Sequence, residues 1–519
     1  MRPEFVAFVL ASLAVAASYF AKPAGKEFAG DLRILIVWIG AAAIAAFIPI
    51  VSVSFGALAM LLLAAAPLNP LSRVCLYIGA LTALPSSYVF DLPFPGLNYL
   101  IKLDYPKLAS LILLGPCLPA ALRRPAQGFR TLDLLVLSFF LLKCVLAARA
   151  LPLTSVIRYA IEHFILIVIP YFTISRILQT REDFVRAFDA LFVAILIHAF
   201  VGVASTLKDW NFYTEMAGKE LSQFDYRGGF LRVTSTLNTF LFGAAMGIGV
   251  ISAFELKRRR AIGSLRIAAY LPLFAAMCFL SGSRGAVLAA LVAAVSYFVF
   301  ARTGGATRKL FLGAAAVITI VLPSFLMNAD FTAIDPYGTF SYRVQLMKAT
   351  MAHFGEHPVF GSADFSQDPN FAHLVQGQGI IDFVNTYVQV ALEYGAAGLI
   401  LFVAIGVLSV FASARALHEL QISPTSDQHR ALIAFNGFAA AMNVSMLVLI
   451  ATVSAVSYTN QMLMLGLALA VGLARISLRE AAAARAEAAA APSAATGAQT
   501  DSRPAIRAGV PAHLRQYLP

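Results

Sequence analysis

Several residue groups in this 519-residue chain have types and spacings suited to chemistry. The first is Ser281-Gly282-Ser283-Arg284-Gly285-Ala286. Its glycines permit a tight turn, and Ser283 can cap a helix that follows. Free amides at that helix start, with Arg284 beside them, make an anion site. An arginine snorkelling to a membrane interface would leave the same signature. The second group is Arg227-Gly228-Gly229-Phe230-Leu231-Arg232 with Thr234, Ser235, Thr236 and Asn238. It leads into a helix, where Arg232 again suggests an anionic ligand or snorkelling. The third begins at Ser341–Lys348, which opens a helix with Val344, Met347, Met351 and Phe354 on one stripe. That stripe suits a membrane surface or ordinary packing. Arg343 and Lys348 lie off it, where they can meet phosphate. A turn follows at Glu356-His357-Pro358-Val359-Phe360-Gly361, then Asp364, His373 and a polar run from Gln376 through Asp382 and Asn385 to Tyr387.

A fourth group, Arg158, Glu162 and His163, lies within an apolar segment. The i,i+4 spacing of Arg158 and Glu162 predicts mutual neutralisation, although intramembrane charges also mark transport routes. His198, Asp189 and Lys143 are single polar residues, expected to bond to neighbouring helices. Other chemistries are not indicated. The spacing of His, Cys, Asp and Glu suggests no metal site, and no cofactor is expected. Neither a Walker-type phosphate loop nor a Gly-x-Ser-x-Gly elbow is present. Cys75, Cys117, Cys144 and Cys278 lie in or beside apolar segments without Cys-x-x-Cys pairing and read as small buried hydrophobes.

The elements that position these residues follow from composition. Hydrophobic residues make up 60% of the chain, charged residues only 13%, and mean hydropathy is +0.78. Soluble domains carry about 25% charged residues, so a soluble reading is excluded. Apolar segments near the ~20 residues that span hydrocarbon recur at 5–21, 32–49, 51–67, 72–90, 106–122, 131–149, 157–178, 184–206, 232–254, 264–281, 284–301, 309–327, 385–411, 430–453 and 457–476. The second and third are one apolar stretch broken at Pro49, either two spans or one bent helix plus an interfacial piece. Met1–Phe20 imitates a signal peptide, but Lys22-Pro23 stands where a small-residue cleavage site would fall, and a first spanning helix is expected.

The net charge of +12 sits in short loops, as topology signals do, and no nucleic-acid partner is expected. The run Lys257–Arg260 marks the cytoplasmic side, which turns the loops 91–105, 207–231 and 328–384 outward. The last far exceeds the usual 12–15 residues, a sign of function. The expected division is a transmembrane domain over 1–476, the loop 328–384 inserted within it, and a disordered cytoplasmic tail over 477–519, with some helix at its start.

Ser281–Ala286, Arg343 in a loop helix, His357-Pro358-Val359-Phe360-Gly361, and Asn385-Thr386-Tyr387 followed by Glu393-Tyr394-Gly395-Ala396-Ala397-Gly398-Leu399 resemble, in order, the O-antigen ligase and polymerase superfamily. The likeness covers roughly residues 230–410. The apolar segments make an all-α polytopic bundle of about 13–15 helices, which the likeness implies is GT-C-like with a long periplasmic loop. The likeness also implies a metal-independent glycosyltransferase of the bacterial inner membrane, active in O-antigen or exopolysaccharide biosynthesis. The donor would be an undecaprenyl-diphosphate-linked glycan at the periplasmic leaflet, and the acceptor a second glycan or lipid A–core. Arg232, Arg284 and Arg343 correspond to the outer arginines that hold the diphosphate. Asn385 and Tyr387 would lie on the acceptor side.

One position departs from the pattern. Ligases of this superfamily carry a histidine just before the Asn-x-Tyr motif, and here that residue is Val384. The base is either absent, not needed, or moved, with His373, Asp382 and Glu393 as the candidates, and the departure shifts the reading from ligase toward polymerase. The competing expectation is a transporter or flippase for an anionic or lipid-linked substrate, motivated by Arg158, Glu162, His163 and His198.

Overall fold

The computed structural model describes residues 3–23, 31–96, 98–125, 128–216, 226–227, 229–302, 339–375, 381–423, 427–455 and 458–498. The expected span 309–327, the beginning of the long loop and the end of the tail lie outside them. The described chain is a polytopic all-α membrane bundle. Its helices are α1 (Pro3–Ala21), α2 (Asp31–Phe47), α3 (Val51–Ala65), α4 (Pro70–Ala80), α5 (Tyr105–Leu122), α6 (Arg130–Ala147), α7 (Leu153–Ile177), α8 (Arg181–Lys208), α9 (Thr239–Arg258), α10 (Ser264–Leu280), α11 (Arg284–Arg302), α12 (Thr339–Glu356), α13 (Thr386–Ile422), α14 (Asp427–Ile450) and α15 (Thr459–Ala498). Among the described residues, 9 helices are long and apolar enough to cross a membrane, and α2, α3 and α10 are shorter apolar helices. Two small antiparallel hairpins pair Val89–Asp91 with Lys102–Asp104, and Tyr226–Arg227 with Phe230–Leu231.

Pro49 separates two helices rather than bending one: α2 and α3 pack side by side. Proline has no N–H to donate and clashes with the preceding turn. The expected span 72–90 is not a single helix. α4 stops at Ala80, and Leu81–Leu84 run on buried and non-helical. Unpaired backbone carbonyls in an apolar interior are costly, and side chains from across the bundle take them. Trp38 Nε1 donates to Gly79 O (2.9 Å), Tyr105 Oη to Ala80 O (2.9 Å), Thr236 Oγ1 to Thr82 O (2.5 Å) and Tyr458 Oη to Leu84 O. Each donor lies far along the chain, so local pattern could not announce the break.

α5 and α7 each contain a π-turn, Ser110–Leu114 and Phe164–Val168. The two meet where Ser110 Oγ donates to Ile165 O (3.0 Å). α9, α11 and α14 approach through small residues, the usual device where lipid supplies no hydrophobic drive between helices. A Cβ on Gly247 would lie 2.5 Å from the Ala290 Cβ, and one on Gly437 2.9 Å from the Ala301 Cβ. Buried charge is paired. Asp133 of α6 accepts from Arg176 of α7 (2.7 Å), Arg475 of α15 (3.0 Å) and Tyr171 Oη (2.9 Å). α15 continues beyond residue 476, with Ser477 and Ala481 still buried.

The single polar residues of the spans are structural ties. His198 is held by Thr82 Oγ1 and Ser235 Oγ, both at 2.8 Å. Asp189 pairs with Arg259 (2.9 Å), and Lys143 lies over the Tyr394 ring of α13 (4.9 Å). The expected Arg158–Glu162 pair does not form. Glu162 turns to Lys107 Nζ (3.2 Å), while the Arg158 guanidinium stacks over Tyr99 at 4.3 Å. Lys107 is fixed first by the hairpin and by Asp104, the N-cap of α5, so the tertiary partner displaces the helical neighbour. Burial raises the Asp104 pKa against the opposing pull of Lys107.

Candidate functional site

α9 begins at Asn238, whose side chain caps the Leu241 amide (3.1 Å), and ends at Lys257–Arg258. α10 returns to Ser281, so the 281–284 turn and the 230–238 segment share the end of the bundle opposite Lys257–Arg260. Val233 N donates to Leu280 O (2.9 Å), and Arg227 Nη1 to Gly282 O (2.8 Å). Gly282 has φ +63°, and a Cβ there would meet Arg232 Cγ at 2.9 Å. A glycine is therefore required for Arg232 to lie across the turn. Ser283 Oγ accepts from Ala286 N (3.3 Å) at the start of α11, the cap expected from sequence.

Arg343 reaches the same place from α12. Its Nη2 donates to Thr452 O (3.2 Å), in the loop between α14 and α15. The Thr452 side chain faces Gly285, where a Cβ would stand 2.2 Å from Thr452 Oγ1. Burial lowers the pKa of Arg343, the charge of Asp382 raises it, and Arg284 lowers it. An arginine nevertheless stays protonated. Arg284 itself is exposed, and no described residue bonds to its side chain. The structure thus brings Arg232, Arg284 and Arg343 to one turn, from three separate parts of the chain.

The remaining candidates divide. Asp382 is the base candidate beside an arginine. Its Oδ1 accepts from Ser454 Oγ (2.7 Å) and Val384 N (3.2 Å). Glu393 accepts from the Tyr394 hydroxyl, whose partner on α7 is Tyr159 (2.7 Å). His373 is exposed on a short 3-10 segment, Pro369–Leu374. Asn385 caps α13, accepting from Tyr387 N (2.9 Å) and Val388 N (3.3 Å). Tyr387 Oη donates to Leu447 O on α14 (3.1 Å).

The α14–α15 loop is the element that sequence reasoning passes over. Thr452, Val453, Ser454 and Ala455 meet Arg343, Thr386, Asp382 and Gln389 in turn. Its signal is a polar run between two apolar spans, Thr452 through Thr459.

The His357–Gly361 and Glu393–Leu399 motifs prove to be one structure. α13 breaks at Gly395 (φ +65°, ψ −162°), a conformation essentially reserved for glycine. The amides freed by the break, Ala396 N and Ala397 N, donate to Pro358 O (2.8 Å) and Val359 O (3.0 Å). In return Ser362 N donates to Leu392 O (2.9 Å). Arg149 clamps the joint, donating to Phe360 O (2.9 Å), Gly361 O (2.8 Å) and Glu393 O (3.1 Å).

α12 buries Leu346, Ala349, Thr350 and His353 where it packs on α13 and the 369–374 segment; of the expected stripe, Met347 is partly buried against this cluster and Met351 is exposed. At its far end His353, Glu356 and His357 bring one ligand-type atom each within 4.8 Å of one another. The spacing His-x-x-Glu-His was readable in the sequence, and the metal reading above did not pick it out.

Val384 has φ +25°, an outlying conformation for a β-branched residue. Val384→Asn is expected to stabilise the protein by up to about 1 kcal/mol, because asparagine tolerates this region. A thermal melt in detergent checks it, and a lower midpoint would show that packing of the valine outweighs the strain.

The class is thus a multi-pass membrane protein with clustered cations at one end of its bundle. The O-antigen ligase family model matches residues 268–403. This stretch includes Arg284, Arg343, Asp382 and the Gly361–Gly395 joint, and excludes Arg232 and the α14–α15 loop. The chain is similar to that family over this segment. No curated protein matches it.

Proposed function

We propose that the protein is an inner-membrane glycosyltransferase that polymerises or ligates undecaprenyl-diphosphate-linked oligosaccharide at the periplasmic face. The observation that carries this reading is the convergence of Arg232, Arg284 and Arg343 on one turn, with Arg284 open. Breaking the sugar–phosphate bond puts negative charge on the diphosphate leaving group. Fixed cations stabilise that charge without reorganising. The family match over residues 268–403 supports the chemistry, and the basic run Lys257–Arg260, read by the rule that lysine and arginine stay on the cytoplasmic side, supports the orientation. Of the three base candidates, Asp382 is favoured to take the acceptor proton, since a base must reach the hydroxyl that attacks beside the diphosphate. Transport has less support, because Glu162 and His198 are engaged as structural ties.

The test is reconstitution of the purified chain with lipid-linked repeat units alone, and then with lipid A–core added. A ladder in the first reaction assigns polymerase activity, which Val384 favours. Transfer only in the second assigns ligase activity. Movement of intact units across the bilayer with neither product would overturn the proposal.

A further inference from the structure

His353 is buried, with 2% of its surface exposed. One ring nitrogen, Nδ1, is hydrogen-bonded to the Asp368 carboxylate. The other, Nε2, is buried and has no hydrogen-bond partner among the described residues. A buried polar atom left unsatisfied is costly and calls for an explanation. The ring nevertheless stands in a group with two exposed ligand-type side chains. His357 follows at i+4, with ring centroids 5.0 Å apart, and Glu356 lies between them in sequence. The ligand-type atoms of all three fall within 4.8 Å of one another.

We propose that His353, Glu356 and His357, with Asp368 behind His353, form a site for a divalent transition-metal cation, zinc or a close first-row neighbour. Two imidazoles and a carboxylate suit such an ion and not magnesium or calcium, which take oxygen ligands. A carboxylate on the second nitrogen of a ligating histidine fixes its tautomer and orientation, and Asp368 occupies that place. Ligands about 2.1 Å from one ion stand at most about 4.2 Å apart. Glu356 and His357 therefore close by somewhat under an ångström, which exposed side chains at a helix end can do.

The site lies roughly 15 Å along α12 from Arg343, at ~1.5 Å per residue, so it is assigned no part in glycan transfer. It sits where α12 gives way to the Pro358–Gly361 turn that docks at the α13 break. An ion there would tie three pieces together: the end of α12, the docking turn and, through Asp368, the 365–374 segment.

The experiment is calorimetric titration of the purified full chain, carrying no histidine tag, with Zn²⁺ alone and separately with Mg²⁺. One Zn²⁺ per chain is expected, with a raised melting temperature and no Mg²⁺ response. His357→Ala and Glu356→Ala alter exposed residues and should fold. Each should weaken Zn²⁺ binding at least tenfold, and Asp368→Asn by about 10–100-fold. Absence of saturable Zn²⁺ binding, binding unchanged in His357→Ala and Glu356→Ala, or equal competition by Mg²⁺ would each overturn the site. Glycan transfer is not the readout, so this result stands apart from the proposed function.

Discussion

Arg284→Ala is expected to cut glycan transfer by about 10²–10³-fold, the usual effect of removing one fixed donor to developing charge. Membrane levels of the protein should be unchanged. The first expectation rests on the proposed diphosphate role; the second rests on Arg284 being exposed and bonding to no described residue, so that its loss removes no bond among them. Arg343→Ala should be comparably inactive but less stable, because Arg343 also donates to Thr452 O at 3.2 Å. Arg284→Lys should fall between, keeping the charge and losing the planar fork that grips phosphate oxygens in pairs. Chain-length profiles in a polymer-producing host and turnover in proteoliposomes give the measurement. Normal chains from Arg284→Ala would sink the diphosphate assignment.

Gly395→Ala should do the greater damage to the fold. The new Cβ would stand 2.4 Å from Val359 C and O and 2.5 Å from Gly361 N. Those atoms are backbone and cannot swing aside. This glycine-only region costs a residue with a Cβ about 1–3 kcal/mol, and overpacking about 1–3 more. Displacing the turn would also unpair the Ala396 and Ala397 amides from Pro358 O and Val359 O. A loss of about 2–6 kcal/mol follows, visible as reduced protein in the membrane and an early melt in detergent. Gly361→Ala should behave alike, its Cβ meeting Leu392 O at 2.3 Å. Gly355→Ala is the control. Nothing lies within 4 Å of its Cβ, and alanine favours helix by up to about 1 kcal/mol. If Gly395→Ala and Gly355→Ala melted together, the docked turn would not be what holds α13 broken.

Together the two variants separate roles that the motifs present side by side. On the proposed reading, Arg284 belongs to a surface that meets the lipid diphosphate. Gly361 and Gly395 belong to a joint within it. Asn385 and Tyr387, expected on the acceptor side, make joint-like contacts as well: a helix cap and a tie to Leu447. Substitution there should lower stability together with activity, whereas Arg284→Ala should lower activity alone.

The membrane class and most spanning segments were legible in the sequence, because hydrocarbon enforces long apolar runs and internally bonded backbone. The Ser283 cap and the Pro49 break were legible for a similar reason: each depends on residues within a turn of itself. Arg232 could be singled out because a cation at an apolar helix start is expensive, Arg284 by the turn and helix start beside it, and Arg343 by its place off the apolar stripe and by the family resemblance. What only the tertiary structure decided depends on partners distant in the chain. α4 ends early because Trp38, Tyr105, Thr236 and Tyr458 are there to take its carbonyls. Glu162 abandons Arg158 because the hairpin presents Lys107. His353, Glu356 and His357 were adjacent in sequence, but their meaning rests on Asp368 and on burial of one ring nitrogen. The gathering of Arg232, Arg284 and Arg343 was the least legible of all. It depends on Gly282 leaving room for Arg232 and on the Thr452 loop receiving Arg343, and neither contact lies within reach of local pattern.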